Sequence, residues 1–220
     1  LQYVKDMESE ALIKAAELLY HKKKYFESIT LIKMALERSD IFPSIKNKTL
    51  LYPLAFKEQI QKISEGENIP SFLFFSLVRA ESGFDPDITS RAGAVGLTQL
   101  MPETAEDMAA LLNIDEIELT DPEQNLLLGA KYLGKLLKRF SSIPKALMAY
   151  NAGPNRMLIW ETEFKDTQLD ILVESIPYPE TRWFVYSIMV SSLSYGQLYF
   201  QKSQKEIINM FYPDLENLPD

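Results

Sequence analysis

The chain has 220 residues, 25% of them charged and 46% hydrophobic, with a net charge of −8, no cysteine and a single histidine. That length buries a real core as one large domain, or one domain with an appendage, and the composition is that of an ordinary globular protein. It excludes a disulfide framework, a thiolate nucleophile and a cysteine metal site, and the acidic balance argues against a nucleic-acid surface.

The chain opens "LQYVKDMESE", without Met and without the charged and apolar regions of a signal peptide, so an address segment is expected to have stood upstream. No stretch approaches the ~20 consecutive apolar residues of a membrane span. Residues 8–20 and 25–38 each place apolar side chains at helical spacing, the second set being Phe26, Ile29, Ile32, Met34 and Leu36. Across the turn at His21-Lys22-Lys23-Lys24 they predict a helical hairpin similar to one tetratricopeptide-like unit, either the remnant of a longer solenoid or a hairpin packed on the next domain. The lysine run reads as a solvated turn. His21 lies in it, which makes a Ser-His-Asp triad a poor reading.

Residues 40–53 carry two prolines and little helical period and are expected to connect the hairpin, residues 1–50, to a main domain at 51–220. Helical patterns then follow at 54–67, at 70–82 after Pro70, at 101–113, at 121–140 behind an Asp-Pro start, at 143–154, at 181–200 and at 204–214. Strand-length alternation is nearly absent, so the class is all-α with at least seven helices. Residues 83–101 break the pattern as a long glycine-bearing loop, a length more often functional or mobile than idle.

That loop begins beside "SLVRAESGFDP", residues 76–86. An oily run from Phe72 to Val78 is followed closely by a carboxylate, Glu81, and the Ser82-Gly83 pair and Pro86 mark the end of a helix. A helix C-terminus and apolar surroundings both favour the protonated acid, which makes Glu81 a candidate general acid. The plainer reading is a Glu on the wet face of an amphipathic helix. Three further segments place amides, carboxylates and rings together: Gln99 in "GAVGLTQLMP", Tyr150 and Asn151 in "AYNAGPNR", and Glu180 and Arg182 beside Tyr178 and Trp183 in "SIPYPETRWF". Rings that stack on a pyranose and amides that satisfy its hydroxyls are the vocabulary of sugar binding. Taken singly, the second segment is also a helix C-cap and the third a helix start with a salt bridge.

In order, "ESGFDP", "SRAGAVGLTQLMP", "AYNAGPNR" and "IPYPETRWFV" resemble the signature motifs of the soluble lytic murein transglycosylase catalytic domain, over about residues 52–200. The resemblance implies an all-α, goose-lysozyme-like fold, with the hairpin as the tail of a superhelical region. It implies Glu81 as sole catalytic acid and base, Ser90 and Gln99 lining the glycan groove, and Gln99 bonding an N-acetyl or hydroxyl group. Tyr150 and Asn151 would hold the sugar beside the scissile bond, and Glu180 would be a buried supporting carboxylate.

The implied activity is that of a carbon–oxygen lyase that cuts the β-1,4 bond between N-acetylmuramic acid and N-acetylglucosamine to a 1,6-anhydro product, without metal or other cofactor. The implied partner is the peptidoglycan glycan strand, with other cell-wall enzymes as further candidates, and the implied setting is a monomer in the periplasm or cell envelope. Thr98, where the family usually has Met, and Phe184, where it usually has Tyr, depart from the pattern and are expected to weaken or tune activity. Two alternatives stand beside this reading: a lysozyme-like hydrolase in which Asp85 or Asp87 positions water, and a non-catalytic glycan-binding module. An acidic enzyme on an anionic polymer is also expected to show a salt-dependent rate.

Overall fold

The computed structural model describes residues 7–38 and 44–213, and these form twelve α-helices. The first pair, α1 (Ser9–His21) and α2 (Tyr25–Arg38), is the expected hairpin, turning through Lys23 in the left-handed region. Residues 40–43 of the expected connector lie outside the described residues. Its second half is not irregular: Ser44 caps a short helix, α3 (Ile45–Leu51), by accepting from the Asn47 N–H. Pro53 lies beyond the end of this helix and leaves its interior free, so it punctuates the helix without breaking it.

The main body is built around α5 (Ser71–Ser82). Seven consecutive residues, Phe72 to Val78, are buried, so this helix is apolar on every side, as a central helix must be. It packs against α4 (Lys57–Gly66) and the long α11 (Pro179–Tyr199); α7 (Pro122–Phe140) packs on α4 and on α8 (Ile143–Ala152), α8 on α11, with α6 (Pro102–Leu112) against α7 and α12 (Gln204–Phe211) against α11. Local chemistry starts these helices: Asp121 accepts from the Gln124 N–H ahead of α7, Ser142 caps α8, and Ser203 with Glu206 forms a capping box on α12. Two short helices, α9 (Pro154–Glu163) and α10 (Leu169–Ser175), occupy a stretch for which the sequence pattern gives no element. They are held by burying Met157, Trp160, Leu172 and Val173, which is tertiary packing more than periodicity.

The hairpin and α3 share a small core, Ala16, Ile32 and Leu50, yet the hairpin also sits on the main body. Ile29 enters the main core, and the Tyr25 ring meets Phe84 edge-on at 6.2 Å. Arg79 ties the junction from the other side. Its Nε donates to the Leu51 carbonyl at 2.8 Å and its guanidinium lies 4.7 Å from the Tyr52 ring centre. Among the described residues no helix is long and apolar enough to cross a membrane.

Candidate active site

Glu81 stands in the last turn of α5, where Gly83, at φ 57°, ends the helix and donates to the Arg79 carbonyl. Only glycine fits there: a Cβ on Gly83 would lie 2.8 Å from the Phe26 ring of α2, so the hairpin closes directly over the helix end. Glu81 keeps part of its surface open to a cavity of about 760 Å³ and is enclosed by protein elsewhere. Burial pushes its carboxyl up to about 8, and the charge of Glu180 pushes in the same direction. At neutral pH the group is therefore mainly the acid, able to donate its proton.

The segment after Glu81 contains no helix, but it is not structureless. Antiparallel bridges join Thr89 to Val95 and Val95 to Leu100. Ser82 Oγ donates to the Leu97 carbonyl at 2.8 Å and accepts from the Phe84 N–H, pinning both ends of the loop to α5. The centre is held by Asn125 of α7, which is fully buried. Its Oδ1 accepts from the Thr98 N–H at 2.8 Å and from Thr98 Oγ1 at 2.7 Å, while its Nδ2 donates to the carbonyls of Val95 and Leu119 at 3.0 Å each. One side chain thus makes four hydrogen bonds, three to the loop and one to the Leu119 carbonyl ahead of α7.

All six residues singled out in the sequence, Glu81, Ser90, Gln99, Tyr150, Asn151 and Glu180, line this one cavity. Their surroundings differ from expectation at several points. Gln99, at φ 47°, donates from Nε2 to the carbonyls of Ile88 and Gly96, so its Oε1 is the atom left for a ligand. Ser90 Oγ accepts from the Ala94 N–H at 3.0 Å and braces its own turn, with its hydroxyl proton still to give.

Tyr150 is not an open platform. It is 9% exposed, its hydroxyl donates to the Thr98 carbonyl at 2.8 Å, and its ring stacks on Phe184 with centres 6.4 Å apart. Burial and the nearby Glu81 carboxylate hold its phenol well above the usual value, so it remains a donor. Asn151 Oδ1 accepts from Thr181 Oγ1 at 2.7 Å, which leaves only its Nδ2 for the cavity.

Two corrections follow. Glu180 is exposed, not buried, because it lies in the first turn of α11, at the rim of the cavity. The open ring is Trp183, one turn further along α11 and 74% exposed on the cavity wall. The two departures part company here. Thr98 is fully buried, pairs with Asn125 and fits against Gly129, where a Cβ would collide with it, so it acts on the loop and does not line the cavity. Phe184 does line it.

Of the acids named for hydrolysis, neither Asp85 nor Asp87 lines the cavity; Asp85 Oδ1 accepts from the Asp87 N–H in a local turn. Sequence reasoning missed Lys33, Met101 and Ser187 on the cavity wall and Asn125 behind it. Only Asn125 carries a signal, as an amide beside Leu126, Leu127 and Leu128 near the start of an otherwise amphipathic helix.

The family model "Transglycosylase SLT domain" matches residues 58–172, which is more than half of the chain and includes Glu81, Ser90, Gln99, Tyr150 and Asn151. The chain belongs to the transglycosylase SLT domain family. This SLT domain is 32% identical over 151 residues to the soluble lytic murein transglycosylase of Escherichia coli K12, an alignment covering 66% of the chain and 23% of the relative. Among solved structures it is similar to an inactive Glu-to-Gln variant of the Pseudomonas aeruginosa lytic transglycosylase Slt, with a TM-score of 0.78 and 31% identity over 89% of this chain and 31% of that one. It also resembles the 70 kDa soluble lytic transglycosylase of E. coli, with a TM-score of 0.81 and 26% identity over 93% of this chain and 32% of that one. The chain thus spans about a quarter to a third of the length of these relatives. The all-α, lysozyme-like class expected from the sequence is the observed one.

Proposed function

We propose that this SLT domain is the catalytic part of a peptidoglycan lytic transglycosylase, with residues 51–220 as the catalytic unit, residues 1–50 as its preceding hairpin, and the periplasm or cell envelope as its place of work. The observation that carries the reading is a protonated carboxylic acid, Glu81, in a sugar-sized cavity from which Asp85 and Asp87 are absent. Glu81 gives its proton to the oxygen of the bond between N-acetylmuramic acid and N-acetylglucosamine, and that C1–O bond breaks with its electron pair going to the leaving sugar. The muramyl N-acetyl oxygen supports the cation at C1. Glu81, now a carboxylate, takes the proton of the muramyl C6 hydroxyl as its oxygen bonds to C1. Acid and base are restored and no water is consumed, in contrast to the two-carboxylate hydrolases.

Ser90, the Gln99 Oε1 and the Asn151 Nδ2 orient the glycan under this reading, and Tyr150 holds the wall beside Glu81. The Glu180 charge favours the acid form of Glu81 between turnovers. Support also comes from the relatives, which are named lytic murein transglycosylases, and from the Pseudomonas variant, inactive with a single Glu-to-Gln change.

The test is digestion of purified sacculi followed by mass spectrometry. Wild type is expected to release muropeptides ending in anhydromuramic acid, one water lighter than the hydrolysis product. Glu81→Gln is expected to lose about 10²-fold or more in rate while still binding sacculi. Reducing-end muramic acid would overturn the reading in favour of a hydrolase, and unchanged clearing by Glu81→Gln would remove Glu81 from the chemistry.

A further inference from the structure

One wall of the cavity comes from the hairpin, ahead of the matched family segment. Lys33, two turns into α2, lines it together with Glu81, Glu180 and Trp183, and among the described lining residues it is the one cation. Its place is fixed by packing. Phe26, Thr30, Lys33 and Glu37 follow one another at helical spacing along α2, and Phe26 is the residue pressed onto Gly83 at the end of the Glu81 helix. Ile29 anchors the same helix in the main core.

Behind Lys33 stands a second cation. Arg79 is held by the Leu51 carbonyl, Ser191 Oγ and the face of Tyr52, and forms no salt bridge to a carboxylate among the described residues. Lys33 has neither an ion pair nor a hydrogen bond among them. Partial burial and the Arg79 charge lower the pKa of Lys33, and Glu37, one turn on, opposes this. In a protein of net charge −8, Lys33 therefore stands on the cavity wall with a second cation, Arg79, close enough to act on it from behind.

We propose that Lys33 is a specificity-determining residue of this site, pairing with a carboxylate carried by the glycan so that the hairpin selects anionic, muramyl-containing strands over neutral ones. The inference rests on the peptidoglycan reading above. Two sources supply that carboxylate, the lactyl group of muramic acid once its peptide is removed and the stem peptide itself. A carboxylate arriving at Lys33 would restore the compensation that the protein withholds. It would act on binding, not on the proton of Glu81, since burial and Glu180 account for the shift of that group.

The experiment compares Lys33→Ala, Lys33→Arg and Lys33→Glu, each also in a Glu81→Gln background so that binding is read without turnover. Three probes are titrated: peptide-bearing glycan strands, strands stripped by an amidase so that only lactyl carboxylates remain, and neutral chito-oligosaccharides. Lys33→Ala is expected to weaken binding of a carboxylate-bearing probe about fivefold, the scale of a solvent-facing ion pair, with a matching rise in KM and little change in kcat. Lys33→Glu should weaken it further and Lys33→Arg should restore it, because a point charge is what the site supplies. Chito-oligosaccharide binding and the pH profile of kcat should not move.

A loss confined to peptide-bearing strands assigns the stem peptide, and a loss that persists on stripped strands assigns the lactyl group. Equal losses on all three probes, or none on either anionic one, would overturn the proposal. Failure of the wild type to give anhydro products would instead overturn the functional reading, with the binding titrations still reporting on Lys33.

Discussion

The floor and the rim of the cavity are built on opposite terms. On the floor, Tyr150 and Phe184 are each 9% exposed, the Tyr150 hydroxyl and the Asn151 Oδ1 are already bonded to protein, and the loop that carries Gln99 hangs from Asn125. The rim is made of Trp183, Glu180, Met101 and Lys33, all exposed. The floor's hydrogen bonds are those that hold the fold, so a change there alters stability and chemistry together. A change at the rim leaves the core untouched and acts on what is bound.

Glu81 is the most severe test of that contrast, since it is a floor residue whose chemistry and stability effects are expected to have opposite signs. With its carboxyl raised to about 8, kcat/KM should fall as pH rises through about 8, because the donor form is lost. A flat profile between pH 7 and 9.5 would contradict the assigned acid. Stability runs the other way. Between the ordinary 4.5 and about 8 the unfolded chain releases this proton and the folded one keeps it, so the wild type loses stability across that window. Glu81→Gln should therefore be the inactive but more stable protein, its advantage growing from about pH 4.5 to about pH 8 to a few kcal/mol at most and then levelling. Denaturant melts of both proteins at pH 5 and pH 8.5 check this. An advantage that does not grow with pH would show the carboxyl to be solvated.

Asn125→Ala separates floor from chemistry more directly. It removes the side-chain hydrogen bonds to Thr98, Val95 and Leu119 at once without touching the cavity, and should cost about 2–4 kcal/mol in unfolding free energy. Its activity should fall with the loop's order even well below the melting temperature. Full activity there would mean that the loop does not need this anchor.

The smallest effect belongs to the rim. Trp183→Ala should leave unfolding free energy within about 0.5 kcal/mol of wild type, because a side chain that is 74% exposed loses little packing. Binding of glycan strands by the Glu81→Gln protein should weaken about threefold to tenfold, the scale of one lost ring stack. A destabilised variant with unchanged binding would reverse the assignment of rim and floor.

Much of this arrangement is legible in the chain, for identifiable reasons. Helical period, proline and cap positions, and the missing strand alternation fix an all-α chain, because these are local properties. Glu81 stands out in the sequence because an ionisable group follows an oily run just before Gly83 ends the helix. By contrast, α9 and α10 exist because Trp160 and Val173 find a core, and no local pattern announces that.

Residue type was set in the sequence, but orientation was not. Whether Tyr150 is a platform or a wall, whether Glu180 is buried, and whether the open ring is Trp183 depend on which neighbours cover each side chain, and those neighbours lie on other helices. Lys33 is the extreme case: it lies 48 positions before Glu81 in the chain and reaches the cavity only because Phe26 packs on Gly83. The amino-acid order determined the acid, the helices and the groups available for sugar. Tertiary packing alone decided which of them face the cavity and with what charge around them, because burial and electrostatic coupling are set by distance in space and not along the chain.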